Sequence, residues 1–225
     1  MGRRLFVGDL HGCRQELEDL LTQFAFNPND DQLFSVGDIV GKGPDVVGTL
    51  ALLQSLNARV VLGNHDLRLL EGADKKESDR DENQIKYLHS LGNQIEPWLT
   101  YMRGWPLWID LPDVLVVHAG IEPGKKNLDD MHPYVLTHIR TWDGEGKHLN
   151  RPDDPAWFDC VTWPKTIVFG HWAKRGQVNE MGFKGLDTGC VYGRKLSGWC
   201  PETNSWHQVS ARATYQTISK PRPGF

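Results

Sequence analysis

Five short polar clusters, each beside a glycine and each after an apolar run, carry the side chains best suited to chemistry. They contribute Asp9, His11, Asp38, Asn64, His118 and His171. Carboxylate, amide and imidazole groups together are typical ligands of Mn, Fe or Zn, and they suit neither an all-oxygen calcium site nor a thiolate site. Two such ions roughly 3.5–4 Å apart can activate water and clamp the oxygens of a phosphoryl group. The residue types therefore predict a two-metal hydrolase of phosphate esters or anhydrides.

Each cluster alone has an ordinary structural explanation. An Asp-x-His sequence such as Asp9–His11 is common in a capped turn, and Asn64–Asp66 would equally suit a turn or a helix N-terminus. A single His118 or His171 would more often be a hydrogen-bonded core histidine. The metal-site hypothesis is favoured because all five clusters occur in one chain, each after a strand-like run, whereas the other histidines lack that setting.

The predicted secondary structure brings these clusters together. Strand-like runs at Arg4–Val7, Gln32–Val36 and Arg59–Leu62 each end at a glycine, and helical patterns follow at Cys13–Phe24 and Pro44–Leu56. This repeat predicts an α/β fold with a mainly parallel sheet. Ligands bind in such sheets at the carboxyl ends of the strands, where the clusters lie.

The rest of the chain gives weaker signals. Glu71–Glu82 is charged and lacks hydrophobic periodicity, which predicts an exposed loop, and Asn83–Met102 is predicted to be helical. Further strands are predicted at Val114–Val117 and Thr166–Phe169, and short strands with glycine turns after Gly176. One domain over residues 1–218 is expected, followed by a loose tail at residues 219–225.

Composition indicates an ordinary globular protein. The chain has 225 residues, of which 39% are hydrophobic and 24% charged. A net charge of −4 argues against non-specific nucleic-acid or membrane-surface binding. Its apolar runs are too short for a signal sequence or a membrane span, so a cytoplasmic location is expected. The four cysteines form no CxxC motif and are expected to be free, buried thiols. The oligomeric state is left open.

The motifs GDLHG, GDIVGKGP, GNHD, VHAG and GH, in this order, resemble the calcineurin-like metallophosphoesterase superfamily over roughly Arg3 to Trp199. The longer stretches GDIVGKGPD, LGNHDLRLL, VVHAGIEP, VFGHWA and LDTGCVYG are similar to the symmetrical bis(5'-nucleosyl)-tetraphosphatases, a group related to the serine/threonine phosphoprotein phosphatases. The resemblance implies a β-sandwich of mixed sheets flanked by helices, with the active site at the carboxyl ends of strands.

The resemblance also implies roles for individual residues. A metal-bridging hydroxide would attack phosphorus, His65 would be the general acid that protonates the leaving oxygen, and Asp66 and Asp9 could orient imidazoles. Mn is the favoured metal, with Fe, Zn, Co or Mg as alternatives. The implied ligands are Asp9 and His11 for one ion, Asp38 for both, and Asn64, His118 and His171 for the other.

The substrate implied in this way is a small nucleotide, diadenosine tetraphosphate, which would be split into two ADP. A serine/threonine phosphoprotein phosphatase and a cap or polyphosphate hydrolase are the alternative enzymes. A scaffold that has lost catalysis would be expected to lack ligands, and none of the six is missing. Bases could stack on Trp105, Trp142, Trp172 or Tyr192, although side chains of this kind are more often packing residues.

Some positions depart from the related families. Ala173 stands where many metallophosphoesterases carry a further metal-binding histidine. Phosphoprotein phosphatases carry Asp and Arg where this chain has Gly41 and Lys42, and that Asp supports the catalytic histidine. The partner of His65 is therefore left open, as in the tetraphosphatases that also lack this Asp. The candidate phosphate-binding residues are Lys42, Arg68 and Arg140.

Overall fold

A computed structural model describes residues 2–217 of the chain, so the tail predicted at residues 219–225 lies outside the described residues. The strands of this part are Arg4–Val7 (β1), Gln32–Ser35 (β2), Arg59–Val60 (β3), Trp108–Asp110 (β4), Val114–Val117 (β5), Thr166–Phe169 (β6), Val178–Glu180 (β7), Phe183–Gly185 (β8), Lys195–Cys200 (β9) and Ser205–Ser210 (β10). Its α-helices are Arg14–Phe24 (α1), Val46–Ser55 (α2), Asn64–Asp74 (α3), Glu82–His89 (α4), Ile95–Arg103 (α5) and Pro133–His138 (α6).

The strands form two mixed sheets of five strands each. The first has the order β10–β9–β1–β2–β3 and the second has the order β4–β5–β6–β8–β7. Strands β1, β2 and β3 pair in parallel, as the sequence predicted, and β5, β6 and β8 form a second parallel set. Strand β9 pairs antiparallel to β1, so β1 lies in the middle of its sheet. The predicted class of mixed sheets flanked by helices is confirmed.

The side chains of the central strands point alternately to the two faces of the sheet and form the core on both sides. In β1, Phe6 faces the second sheet and stacks on Phe34 of β2 with ring centroids 4.7 Å apart. Leu5 and Val7, on the opposite face, pack in the cluster formed with α1 and α2. Successive side chains of a strand point to opposite faces, so a strand buried on both sides reads as an unbroken apolar run. Packing on both faces of the sheet holds in place the strand ends that carry the polar clusters.

Two predictions for the middle of the chain are wrong. The segment Glu71–Glu82 is exposed for most of its length, but α3 continues through its start to Asp74. The expected single helix Asn83–Met102 is two helices, α4 and α5, separated by a turn in which Gly92 has a φ of 62°. Polar contacts set the start of α4, because the side chain of Asp81 accepts hydrogen bonds from the main-chain amides of the first turn. Hydrophobic periodicity does not report such contacts.

Within the part of the chain that is described, no helix combines the length and the apolar character needed to cross a membrane. Three cysteines, Cys13, Cys190 and Cys200, are buried and free, as expected, whereas Cys160 is free but exposed.

Candidate active site

The predicted polar clusters meet at the carboxyl ends of parallel strands from both sheets. The first sheet places Asp9 and His11 after β1, Asp38 after β2 and Asn64 after β3, and the second places His118 after β5 and His171 after β6. A cavity of about 710 Å³, here called the central cavity, lies at this edge. Five of the six side chains line it, and His118 is fully buried against Asp38 and Asn64. The other lining residues are Lys42, His65, Arg140, Asn150, Pro152, Trp172, Ala173, Lys174, Asp187 and Tyr192.

Asp38 lies at the centre of the cluster. Its Oδ2 is 3.6 Å from Nε2 of His11, and its Oδ1 is 3.5 Å from Nε2 of His118. These separations exceed hydrogen-bond lengths, but bonds of about 2.0–2.2 Å to a shared cation would place two ligand atoms about 3–3.5 Å apart. The two oxygens of Asp38 therefore face different imidazoles.

The histidines present lone pairs to Asp38. The Nδ1–H of His118 donates to the carbonyl oxygen of Val36 (2.8 Å), and that of His11 donates to the carbonyl oxygen of Val40 (3.0 Å). A neutral imidazole carries one proton, so each Nε2 is an acceptor. Burial lowers the pKa of His11 well below its ordinary value, which keeps that ring neutral. Because an imidazole lone pair and a carboxylate oxygen repel each other unless a cation lies between them, this donor set fits a metal.

A second group of ligand atoms surrounds Asn64. Its Oδ1 lies 3.1 Å from Nε2 of His118 and 2.9 Å from Nδ1 of His171. Ligand atoms of Asp38, His118 and His171 lie within 4.8 Å of one another, and so do those of Asp38, His11 and His65. Asp38 thus belongs to both groups, as a carboxylate shared by two cations would.

Asp187 is a buried carboxylate of the central cavity that the sequence did not single out. It lies just beyond β8, next to β6, and is 8% exposed. Burial raises the pKa of Asp9 well above its ordinary value, and the charges of Asp187 and Asp38 raise it further. Burial also raises the pKa of Asp187. Three buried carboxylates so close together are costly in the absence of compensating positive charge, and cations would supply it.

The backbone at the ligands adopts uncommon conformations. His11, Asp38 and His171 have φ angles of 46°, 52° and 66°, and they are three of the six non-glycine residues with positive φ in the described chain. Such conformations cost of order 1–3 kcal/mol each and persist where the surroundings hold them in place. Backbone strain is therefore concentrated at the residues that would bind metal.

Asp66 holds the turn that carries Asp38. An imidazole was the expected partner of Asp66, but its Oδ1 accepts hydrogen bonds from the main-chain amides of Ile39 and Val40, and its Oδ2 accepts one from Gly63. Burial, followed by the charge of Asp38, raises the pKa of Asp66 to about 7. A Cβ at Gly63 would overlap the carboxylate of Asp38, so only glycine permits this approach. The role of Asp66 is thus to position the Asp38 turn.

His65 lies between Asp38 and a tyrosine. Its Nε2 is 3.8 Å from Oδ2 of Asp38, and its Nδ1 is 2.6 Å from the hydroxyl oxygen of Tyr87, a buried residue of α4. A Cβ at Gly41 would lie 3.3 Å from that Nδ1 and 3.4 Å from the tyrosine ring, so the glycine leaves room for this pair. Burial lowers the pKa of His65 to about 4, although Asp38 opposes the shift. Tyr87 is thus the hydrogen-bond partner of His65 that the sequence left open.

The three basic candidates have different surroundings. Lys42 lines the central cavity with its Nζ 3.1 Å from Nε2 of His11. Arg140 also lines it and donates to the carbonyl oxygen of His171 (3.3 Å). Burial lowers the pKa of Arg140, and within residues 2–217 it forms no ion pair with a carboxylate. Arg68 is exposed on α3, where it is ion-paired with Asp81 at 3.0 Å and lines a neighbouring cavity. Lys42 and Arg140 are the two that face the ligand cluster.

The four aromatic side chains considered for stacking on a base lie in different parts of the structure. Trp105 is buried in the core against the helices. Trp172 and Tyr192 line the central cavity, and the Nζ of Lys42 lies 5.2 Å from the centre of the Tyr192 ring. Trp142 lines a different cavity that adjoins the central one.

Comparisons with known proteins define the class to which this fold and site belong. The calcineurin-like phosphoesterase family model matches residues 2–194. This chain therefore belongs to the calcineurin-like phosphoesterase family and is a metal-dependent phosphohydrolase.

Individual proteins and solved structures give a more specific comparison. A protein of Shewanella sp. (strain MR-7) named symmetrical bis(5'-nucleosyl)-tetraphosphatase is 32% identical over 255 aligned positions, which cover 86% of this chain and 93% of that protein. A solved structure described as "Crystal structure of a putative diadenosine tetraphosphatase" is 33% identical with a TM-score of 0.83, covering 93% of this chain and 94% of that one. A serine/threonine phosphatase from Saccharomyces cerevisiae, at 16% identity and a TM-score of 0.56 over 98% of this chain and 82% of its own, shares the fold.

Proposed function

We propose that this chain hydrolyses dinucleoside tetraphosphates symmetrically, releasing two nucleoside diphosphates, with two divalent cations at the ligand cluster. The observation that carries the proposal is the cluster itself, in which buried acceptors from both sheets face one another beside two basic side chains. The relatives named symmetrical tetraphosphatases, at about 30% identity, support the choice of substrate.

Asp38 would be shared between two ligand sets. When bound, the cations would activate a water molecule and neutralise phosphate charge, and Mn²⁺ is the metal we expect first. Asp187, which lies beside Asp9 in the cavity, adds negative charge there. The first set is Asp9, His11 and Asp38, and the second is Asp38, Asn64, His118 and His171.

Lys42 and Arg140 would bind phosphate oxygens of the substrate. Both line the central cavity, and the guanidinium of Arg140 is partly desolvated without a carboxylate partner among the described residues. A half-buried cation in that situation favours an anionic ligand. The ammonium group of Lys42 is a point charge, unlike the planar guanidinium of an arginine. It therefore suits a chain of phosphates better than the terminal dianion of a phosphomonoester. Arg68 remains a candidate, at the edge of the neighbouring cavity.

His65 would protonate the leaving phosphate oxygen through Nε2, with the negative charge of the bound phosphates raising the pKa that burial lowers. In the protonated ring, Nδ1–H can donate to the hydroxyl oxygen of Tyr87, and this contact turns Nε2 toward Asp38 and the central cavity. A tyrosine hydroxyl lacks the negative charge with which an aspartate would stabilise the imidazolium. A phosphoanhydride leaving group is more acidic than a serine hydroxyl and depends less on such assistance.

Replacing Tyr87 with phenylalanine should lower kcat by about two- to tenfold and leave KM unchanged, because one hydrogen bond of about 0.5–1.5 kcal/mol is lost while the packing of the ring remains. Steady-state kinetics with diadenosine tetraphosphate would measure this effect. Tyr101→Phe, on α5, is the matched control and should be neutral. In a His65→Ala background, Tyr87→Phe should have no further effect on kcat. An undiminished effect in that background would show that Tyr87 does not act through His65.

The substrate assignment predicts a kcat/KM for diadenosine tetraphosphate at least about tenfold above that for phosphoserine or phosphothreonine peptides, or about 1.4 kcal/mol of transition-state discrimination. The reason is the pair Gly41 and Lys42, which stands where phosphoprotein phosphatases carry Asp and Arg. Assays with one metal at one pH, followed by chromatography of the products, would measure both rate and cleavage position.

Each possible product pattern decides a separate question. Two ADP support the symmetrical cut, whereas ATP and AMP would exclude it. Equal or faster turnover of phosphopeptides would favour a protein phosphatase. Preferential hydrolysis of capped RNA or inorganic polyphosphate would favour a cap or polyphosphate hydrolase.

A further inference from the structure

We infer that the exposed ring of Tyr134 binds a nucleobase of the substrate. This inference rests on the proposed function, because a dinucleoside polyphosphate has a base at each end. Tyr134 lies on α6, at the wall of a cavity of about 640 Å³ that adjoins the central cavity and is here called the side cavity. Residues that line the side cavity include Tyr134, His138, Arg140, Trp142, Glu145 and Asn150.

Tyr134 is unusual in its exposure. It is 56% exposed, and the other large hydrophobic residues exposed in the described chain, Ile85 and Met181, are not aromatic. One face of its ring stacks on His138, with ring centroids 4.0 Å apart and an angle of 17° between the planes. The stack fixes the orientation of the ring, and the exposed remainder is open to a ligand. A base that stacks there meets an aromatic surface that is already ordered.

The position of Tyr134 matches the geometry of the substrate. The ring of His138 lies 6.0 Å from the ring of His171, so the two separations place Tyr134 no more than 10 Å from a proposed metal ligand. In a dinucleoside tetraphosphate cut at its centre, one further phosphate and one ribose separate the reacting phosphorus from the base. A base on Tyr134 therefore allows the reacting phosphate to reach the ligand cluster.

The two cavities are joined at Arg140 and Asn150, each of which lines both. A phosphate held by Arg140 would therefore lie at the entrance to the side cavity, with the nucleoside beyond it. The outer wall of the side cavity is a loop organised by Asp143. Its carboxylate accepts hydrogen bonds of 2.7–3.0 Å from the main-chain amides of Glu145, Gly146 and His148. The subsite is thus formed before a ligand arrives.

Calorimetry on the metal-loaded protein, with ADP and with pyrophosphate as ligands, distinguishes binding of the base from binding of the phosphates. Tyr134→Ala should weaken ADP binding by about 5- to 150-fold, the range expected for one base stacked on an aromatic ring, and should leave pyrophosphate binding unchanged. Tyr134→Phe should retain most of the ADP affinity. Met181→Ala, which removes another exposed apolar side chain, is the control and should change neither.

Kinetics provide the second measurement. Tyr134→Ala should raise KM for diadenosine tetraphosphate while the turnover of p-nitrophenyl phosphate, which lacks a base, stays unchanged. Unaltered ADP binding, or equal weakening of ADP and pyrophosphate, would overturn the inference, as would a wild-type protein that binds pyrophosphate but not ADP. If ADP binding depends on Tyr134 but diadenosine tetraphosphate is not hydrolysed, the base subsite stands and the proposed substrate is wrong.

Discussion

Replacing Asp38 with asparagine should abolish most phosphohydrolase activity and lower the content of both metals. Loss of a residue that only supports a ligand typically costs about 10- to 100-fold in metal affinity or activity, so loss of a shared anionic ligand should exceed about 100-fold. Asparagine is the appropriate substitution because it preserves the shape of the side chain and tolerates the positive φ of 52° at this position. Metal analysis of the purified variant, together with steady-state rates, would measure both effects.

The control for this variant is Asp110→Asn, which removes the same charge from an exposed residue of β4. It should retain metal content and activity. If Asp38→Asn retained two equivalents of metal with near-normal turnover, Asp38 would not be a shared ligand and the assignment of both cation sites would fail.

Replacing His65 with alanine should keep the metals and lower the rate by about 10²–10⁴-fold for leaving groups that need protonation. The metals should remain because the contact between His65 and Asp38 that orders the turn is made by the main-chain amide, which donates to Oδ1 at 2.9 Å and survives the substitution. The loss should be smaller for p-nitrophenyl phosphate, whose leaving group needs little protonation. A series of aryl phosphates with increasing leaving-group pKa would measure this dependence.

His89→Ala, at an exposed position on α4, is the matched control and should be neutral. A loss of equal size across the aryl phosphate series would show that His65 positions other groups and does not transfer a proton.

The sequence predicted those parts of the site that depend on strands ending in glycine. Asp38 and Asn64 follow apolar runs that read clearly as buried strands, so their convergence could be inferred from topology alone. No role was predicted for Asp187, although the stretch LDTGCVYG contains it, because β8 has only three residues, Phe-Lys-Gly, and gives little strand signal. Its carboxylate nevertheless lies in the same cavity, because β8 pairs in parallel with β6.

Tyr87 and Tyr134 were missed for a different reason. Neither belongs to a glycine-flanked motif, and each reaches the site through the packing of a helix. Tyr87 contacts His65 because α4 lies against α3, and Tyr134 is placed by the stack on His138 within α6. The predicted helix boundaries around Asp81 were wrong for a similar reason, because side-chain caps rather than periodicity define them. The contact between Tyr87 and His65 joins two helices, and such contacts have no fixed spacing along the chain. Tyr134 and His138 have a regular helical spacing, but that spacing does not show which cavity their stack lies beside.

The central position of β1 has a consequence for synthesis of the protein. Strand β1 ends at Val7, but β9, which covers its open edge, begins only at Lys195. At about 5–20 residues per second, ribosomes need on the order of ten seconds or more to translate the chain between them. During that time a nascent chain can pair β1 with β2 while the other edge of β1 presents unpaired amides and carbonyls. Among the strands of both sheets, the one that leads directly to Asp9 and His11 is therefore the one that waits longest for its second partner strand.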